Sequence, residues 1–450
     1  MNPEILRKYG KARLPRYTSY PTAPRFSPAI GKGTYGDWLE NIPINDPVSL
    51  YLHIPFCRSM CWYCGCHTTI SQQDQPISDY LHFLKSEIDM VAQRAPKPLP
   101  IGEIHFGGGT PTIIQPEEFL QLTALLRQWF DVSDQTNIAV EIDPRRLTND
   151  MAAALGAGGV TRASLGVQTF DPVVQKAINR IQTEQQTLQA VRDLRKSGVR
   201  RINFDLIYGL PHQTERSCVE TTKAAIAMKP DRFSVFGYAH IPSFKKHQRM
   251  IDETALADTA GRNAQAEAIS ETLVSAGYHQ VGLDHFALKT DDLVIAQDAG
   301  KLRRNFQGYT TDNCETMIGF GASAIGRMVD GYVQNEVAPG RFAQYIRSGD
   351  LATVKGYRFT GDDKFRAQVI ERLMCDFSAD IPSIAATHGF DPAVLLEGNR
   401  RLKMLEDDGV VKIDNGCVLV KKDHRFVIRA VAAAFDAYIE ESTRTHSQAA

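Results

Sequence analysis

A chain of 450 residues divides at ordinary domain sizes into two or three domains and can bury one large core. Its residues are 43% hydrophobic and 23% charged, which are globular values that argue against disorder. Lys and Arg number 51 against 52 Asp and Glu, so the net charge of −1 advertises neither nucleic-acid binding nor an acidic tail.

Residues 1–35 form a distinct segment, with seven basic side chains against one acid and five prolines. They read as a basic arm, either solvated or serving as a lid over an anionic substrate. Glu4, Arg7, Lys8 and Lys11 break any secretory apolar region, and no apolar run reaches the ~20 residues that cross a bilayer. The chain is therefore expected to be soluble and cytoplasmic, without a membrane span.

From residue 48 the pattern alternates between strand and helix. Segments 48–54, 103–108, 138–142, 162–167, 201–209 and 232–238 read as strands, rich in β-branched and aromatic residues. Tyr80, Leu84, Ile88 and Val91 recur at helical spacing, Pro116 suits the first turn of a helix, and 183–197 is a further helix ending at Gly198. Such alternation predicts a mainly parallel α/β sheet. Each strand runs out near a polar or metal-binding residue: Cys57, Gly107 to Gly109, Glu141, Gln168, Asp205 and Ala239. Parallel α/β barrels place their sites at such strand ends, and six units would make an incomplete (β/α)6 barrel over residues 36–300.

Residues 301–360 read as a connecting segment that covers the site, with Gly-rich, loop-like stretches at 302–311 and 319–328. Residues 361–450 read as a C-terminal helical domain. Helices at 363–375, 382–388, 391–406 and 424–440, with a hairpin at 410–413 and 417–420 around Asn415-Gly416, resemble a winged-helix module. Nothing there is basic enough to favour nucleic acid, and a structural or lid role is expected. The tail 442–450 is expected to be disordered.

The chemistry is concentrated in the cysteines. Of eight, four stand in Cys57-Arg-Ser-Met-Cys61-Trp-Tyr-Cys64-Gly-Cys66. A tight cluster in a chain read as cytosolic points to metal or redox chemistry rather than a disulfide scaffold. Structural zinc prefers two separated ligand pairs. Three thiolates on one short loop can instead hold three irons of a [4Fe–4S] cluster and leave the fourth open to a small molecule. Zinc stays as the alternative. The glycines at 107–109 allow a ligand to approach the backbone closely. Glu141 could accept from ribose hydroxyls or stand as a surface carboxylate in a salt bridge, and the Tyr63 ring could lie near adenine or simply pack.

CxxxCxxC after a first strand is similar to the signature of radical S-adenosylmethionine enzymes. RYTSYPTA (16–23), YLHIPFC (51–57), CWYCGCH (61–67), FGGGTPT (106–112), VEIDPR (140–145), LGVQTF (165–170), INR (178–180), NFDLIYGLPHQT (203–214), FSVFGYAHIP (233–242), LDHFA (283–287) and RNFQGYTT (304–311) are present as well. Together they make the chain resemble the oxygen-independent coproporphyrinogen III oxidases from residue 16 to residue 311. The resemblance implies one [4Fe–4S] cluster on Cys57, Cys61 and Cys64, and two molecules of S-adenosylmethionine. Tyr51, Gly108, Glu141 and Ile325 would contact the molecule on the cluster. Tyr63, where the family usually has Phe, would contact the second, together with Gly109, Thr110, Gln168, Arg180, Asp205 and Ala239. A plain ion pair between Arg180 and Asp205 stays open.

The implied activity is oxidative decarboxylation of two propionates of a tetrapyrrole, coproporphyrinogen III, to vinyl groups by a 5′-deoxyadenosyl radical. Cys66, left over once the cluster has three ligands, is expected to act in catalysis. Arg16, Arg303 and Arg304 are candidates for substrate carboxylates. A flavodoxin or ferredoxin would supply single electrons, and the chain is expected to act as a monomer. A haem carrier or haem-modifying relative of the same superfamily is the alternative.

Overall fold

The computed structural model describes residues 3–10 and 12–439; Lys11 and the tail 442–450 lie outside them. The chain forms two compact units, one of residues 26–256 and 312–358, the other of residues 1–25, 257–311 and 359–450.

The first unit is built on a sheet. The strands β1 (Val48–Ile54), β2 (Ile101–Gly108), β3 (Asn137–Ile142), β4 (Arg162–Gln168), β5 (Arg201–Tyr208) and β6 (Arg232–Gly237) lie side by side and parallel. These are the six strands expected from the sequence. On the far side of β1 the sheet continues through β7 (Thr316–Phe320), parallel to β1, then antiparallel β8 (Ile325–Met328), β9 (Gly331–Asn335) and β10 (Thr353–Arg358). The sheet is open and does not close into a barrel.

The strands β7 and β8 correct the loop-like reading of 319–328. The glycines there are not breakers. A Cβ at Gly319 would sit 2.8 Å from the Ile325 carbonyl, and one at Gly326 would sit 3.0 Å from the Met317 carbonyl. The strands approach so closely that only hydrogen fits between them.

The register separates two faces. Tyr51 pairs with His105, Glu141 with Ser164, Gly166 with Asp205, and Asp205 with Ser234. Successive side chains alternate between faces, so the intervening residues Leu50, Leu52, Phe106, Val140, Leu165, Phe204 and Val235 share the opposite face, and all are buried. The helices α1 (Gln75–Arg94), α2 (Pro116–Trp129), α3 (Asn149–Ala157), α4 (Glu184–Lys196) and α5 (Glu215–Ala227) follow β1 to β5. The ring of Phe119 on α2 lies 5.2 Å from that of Phe106 on β2, which fixes this helix to the apolar face. Fully buried side chains of this size contribute about 1.5–3 kcal/mol each. Pro116 opens α2, and Glu118 accepts from the Gln115 N–H at 2.8 Å, closing a capping box.

In the second unit, helices Asp363–Asp376, Ile381–His388 and Arg400–Asp407 stand with a three-stranded sheet in the order Ser378–Asp380, Cys417–Val420, Val411–Asp414. Asn415 and Gly416 turn the hairpin with positive φ, as Asn-Gly does in the tight turns of twisted hairpins. The expected helix 391–406 is broken at Gly398, whose φ is 67°, and Asn399 caps the continuation by accepting from the Leu402 N–H. In place of the expected helix 424–440, the α-helix covers only Ile428–Ala432 between 3-10 turns. Its continuation ends where the Asp436 carboxylate accepts from the Tyr17 hydroxyl and the Tyr438 N–H. The stretch 302–311 is a hairpin of Arg303–Asn305 with Gly308–Thr310. The basic arm is not solvated along its length: Ile5, Leu14, Tyr17 and Tyr20 are buried in this unit's core.

One buried carboxylate braces the first unit. Glu87, on α1, is 1% exposed and accepts from the Gly321 N–H and the Asn335 amide, both at 2.6 Å. Burial pushes its carboxyl up to about 8, against these two bonds, which pull it down. The folded state therefore holds a proton that the unfolded chain releases near pH 4.5. Stability from this site is present at low pH and declines as pH rises towards 8. Thermal melts from pH 5 to pH 9 should show the parent losing ground steadily to Glu87→Gln, which stays neutral throughout. A Tm difference that does not change with pH would refute a protonated Glu87.

Candidate active site

The cysteine loop leaves β1 and has little regular structure of its own. It is held by its backbone. The Thr110 N–H donates to the Phe56 carbonyl at 2.8 Å, and the Gly109 N–H to the Ile54 carbonyl at 3.0 Å. A Cβ on Gly109 would lie 2.5 Å from the Phe56 oxygen, and one on Gly108, at φ 124°, would lie 2.8 Å from the Ile54 oxygen. These two glycines are required by the close passage of β2 against the start of the loop. Gly107 has a different reason. Its Cβ would meet the Tyr51 hydroxyl at 2.9 Å and Glu141 Oε1 at 3.1 Å, so its small size leaves room for both groups.

From the other side, four side chains hold loop carbonyls. Asn179 donates to Met60, Gln248 to Tyr63, and Lys245 to Cys66, at 2.8, 3.0 and 2.9 Å. His247 Nε2 lies 2.7 Å from the Cys64 carbonyl. Gln248 also donates to the Ala239 carbonyl at 3.2 Å, which ties the end of β6 to the same loop. Tyr63 and Trp62 pack against Val174, Ile178, Leu210, Tyr238 and Ile251.

Cys61 is buried, Cys57 and Cys64 are half-buried, and Cys66 is exposed. Burial pushes the Cys57 thiol up to about 11, against the Thr110 hydroxyl 3.3 Å away, and Cys64 and Cys61 add to the rise. The three thiols are thus near enough to interact. A hydrogen bond from the Cys66 thiol pulls Cys64 down to about 6, and the Cys66 N–H also reaches the Cys64 sulfur at 3.4 Å. Among the described residues no three His, Cys, Asp or Glu side chains gather as ligands of a single ion. Three sulfurs set around one loop, with neutral and cationic donors aimed at them, fit a thiolate-held iron–sulfur cluster.

The polar face continues away from the loop. Glu141, next to last in β3, accepts from the Gly108 N–H at 3.1 Å and lies 3.3 Å from His105 Nε2. The Tyr51 hydroxyl is 2.9 Å from His53 Nδ1, and His53 Nε2 is 3.3 Å from the His67 carbonyl. Burial lowers the basicity of His53, so the neutral ring accepts a hydrogen bond from the Tyr51 hydroxyl at Nδ1 and donates from Nε2. Asp205 stands mid-strand in β5, not at its end. It accepts from the Ser164 hydroxyl at 3.1 Å and the Asn203 amide at 2.8 Å, and burial, followed by the charge of Glu141, pushes it up to about 7.

Arg180 pairs with Asp143 at 3.3 Å and donates to the Gly166 carbonyl at 2.6 Å, so the simple pair with Asp205 is not its arrangement. Gln168 ends β4 at φ 66°. Its side-chain amide oxygen Oε1 and the Arg180 Nε are buried without a hydrogen-bond partner. Buried polar atoms left unmatched at the end of β4 fit a polar ligand such as S-adenosylmethionine. Ile325 opens β8, and its carbonyl neighbours Gly319, the register partner of Tyr51.

Among the arginines expected to meet carboxylates, Arg303 pairs with Glu371 at 3.0 Å in the second unit, and Arg304 lies over the Tyr309 ring and 4.0 Å from Asp284. Arg16 belongs to the same unit and acts electrostatically on Asp284. Sequence reading missed His53, His105, Asp143, Arg145, Lys245, His247 and Gln248. Asp143 and Arg145 stand inside the VEIDPR motif, and His53 and His105 lie on the face that alternation assigns to Tyr51. Nothing in the stretch Lys245 to Gln248 signals its role.

The radical SAM superfamily profile matches residues 51–225. The oxygen-independent coproporphyrinogen III oxidase of Bradyrhizobium diazoefficiens is 56% identical over 449 residues, covering 100% of both chains. That of Paracoccus denitrificans is 41% identical, covering 95% of this chain and 94% of its own. The solved structure of coproporphyrinogen III oxidase from Escherichia coli, described as a radical SAM enzyme, superposes with a TM-score of 0.91 at 36% identity, covering 94% of this chain and 98% of its own. No helix among the described residues is long and apolar enough to cross a membrane. With identity of this order over its whole length, the chain belongs to the oxygen-independent coproporphyrinogen III oxidase family of the radical SAM superfamily.

Proposed function

We propose that the chain converts two propionate side chains of coproporphyrinogen III to vinyl groups without oxygen, giving protoporphyrinogen IX. In each conversion, hydrogen abstraction is followed by loss of CO₂ and of one electron to an acceptor. The observation that carries this reading is the packing of the three-cysteine loop against Gly109 and Thr110, beside Glu141, in a chain related to such oxidases along its full length.

In this reading Cys57, Cys61 and Cys64 hold a [4Fe–4S] cluster. Tyr51, Gly108, Glu141 and Ile325 hold S-adenosylmethionine against it, and Tyr63, Gly109, Thr110, Gln168, Arg180, Asp205 and Ala239 hold a second molecule. When bound, cluster and S-adenosylmethionine supply a 5′-deoxyadenosyl radical able to take hydrogen from the propionate carbon next to the ring. The residues bind, orient and exclude water. Glu141 offers its carboxylate to ribose hydroxyls while the Gly108 N–H fixes its angle. Asp205, whose carboxyl burial pushes up to about 7, is protonated in part at neutrality and can then donate as well as accept. Cys66, exposed and beside Cys64, acts on the substrate side. The enzyme works in the cytoplasm as a monomer, with electrons from a flavodoxin or ferredoxin.

Anaerobic turnover with coproporphyrinogen III, S-adenosylmethionine and a reductant should yield vinyl product. The protein should be brown and carry about four iron and four sulfide per chain. Haem bound tightly, with no vinyl product, would move the chain to the carrier reading.

Two variants divide the site. Glu141→Ala should weaken S-adenosylmethionine binding by about 1–3 kcal/mol, the cost of stranding buried polar groups, while the cluster absorption survives. Affinity equal to the parent's in a titration would remove the ribose role. Cys66→Ser should keep the iron–sulfur spectrum and lose most vinyl formation; full turnover would take Cys66 out of catalysis.

A further inference from the structure

The sulfurs of the loop are not treated alike. Cys57 faces the Thr110 hydroxyl and Cys64 the Cys66 N–H, both neutral donors. Cys61 receives two guanidinium donors, Arg145 Nη2 at 3.7 Å and Arg180 Nη1 at 3.6 Å. Cys61 is also the most buried of the four loop cysteines, at 8% exposure, so these charges act where water screens them little.

Both guanidiniums are oriented by one carboxylate. Asp143 accepts from Arg145 Nε at 2.9 Å and from Nη2 at 2.6 Å, a fork geometry that fixes the plane of the group. Arg180 reaches the same carboxylate at 3.3 Å. Two cations and one anion therefore meet beside one sulfur, leaving a net positive charge. Burial alone would raise the Asp143 carboxyl, but Arg180 and then Arg145 hold it below the usual carboxylate range, so the anion persists.

We infer that Arg145 is a positioning residue that raises the reduction potential of the cluster through its N–H donor to the Cys61 sulfur. The inference rests on the reading of Cys61 as a cluster ligand. Reduction adds one electron and places more negative charge on the ligand sulfurs. A cationic donor held against a sulfur stabilises that reduced form more than the oxidised form, which makes the cluster easier to reduce. Arg180, whose Nε has no partner, is divided between sulfur, carboxylate and carbonyl. The contacts of Arg145 are confined to Asp143 and Cys61 in the hydrogen bonds described, which suits it to a purely electrostatic role.

The test is an anaerobic redox titration followed by electron paramagnetic resonance, on cluster-loaded full-length protein without S-adenosylmethionine. Arg145→Gln should keep its iron and sulfide but show a lower midpoint, with a smaller reduced fraction at any fixed potential. Arg145→Lys should fall between it and the parent. A fully loaded Arg145→Gln protein with the parent's midpoint overturns the inference. Loss of iron from that variant moves the comparison to Arg145→Lys, where an unchanged midpoint overturns it too. A parent that carries no cluster at all defeats the cluster reading itself, an outcome visible in the iron analysis before any titration.

Discussion

The site depends on one constraint, the split of six parallel strands into an apolar and a polar face. Parallel sheets usually bury both faces and read as continuous hydrophobic runs. Here Leu50, Phe106, Val140, Leu165, Phe204 and Val235 alternate with Tyr51, His105, Glu141, Ser164, Asp205 and Ser234. Parallel register places like with like across neighbouring strands. The helices can cover only the apolar side without stranding polar groups. A shift of one residue in any strand would exchange its two faces, so the burial that stabilises the sheet also fixes which side carries the chemistry.

The cysteine loop shows how an irregular segment is fixed when it has no ladder of its own. Its carbonyls must find donors, since buried unpaired backbone is costly. They find them on the side chains of Asn179, Lys245 and Gln248, while β2 passes close underneath through Gly108 and Gly109. The glycine run therefore has a structural cause that is independent of any ligand. Only at Gly107 does the missing side chain open directly onto Tyr51 and Glu141.

Much of this was legible in the sequence because the signals were local. The six strands follow from β-branched, alternating runs, and the cysteine spacing stands out at once. Other features depend on contacts distant in sequence. The strands at 316–328 resemble loops because their glycines answer to a neighbouring backbone. Asp205 reads in the sequence as one of the polar residues near strand ends, yet it stands between Asn203 and a serine on each adjacent strand. Helix 424–440 has helical periodicity but is ended by tertiary bonds to Asp436. Lys245, His247 and Gln248 reach the loop across 179 to 185 residues, which no local pattern records.

At the end of β4 a strained backbone and unsatisfied polar atoms come together. Gln168 holds a left-handed backbone that costs a non-glycine residue about 1–3 kcal/mol. Its side-chain amide oxygen Oε1 and the Arg180 Nε add the cost of unpaired buried polar atoms. Such a concentration persists only if its surroundings over-determine it. They do: Arg180 is fixed at three points by Asp143, Gly166 and Cys61, and the far side of β4 is anchored by Leu165 and Val167 in the core. The apolar face thus offsets free energy left uncollected on the polar one. Groups held in place but unmatched are what a polar ligand can satisfy without first reorganising the protein, so the local destabilisation and the readiness to bind have the same physical origin.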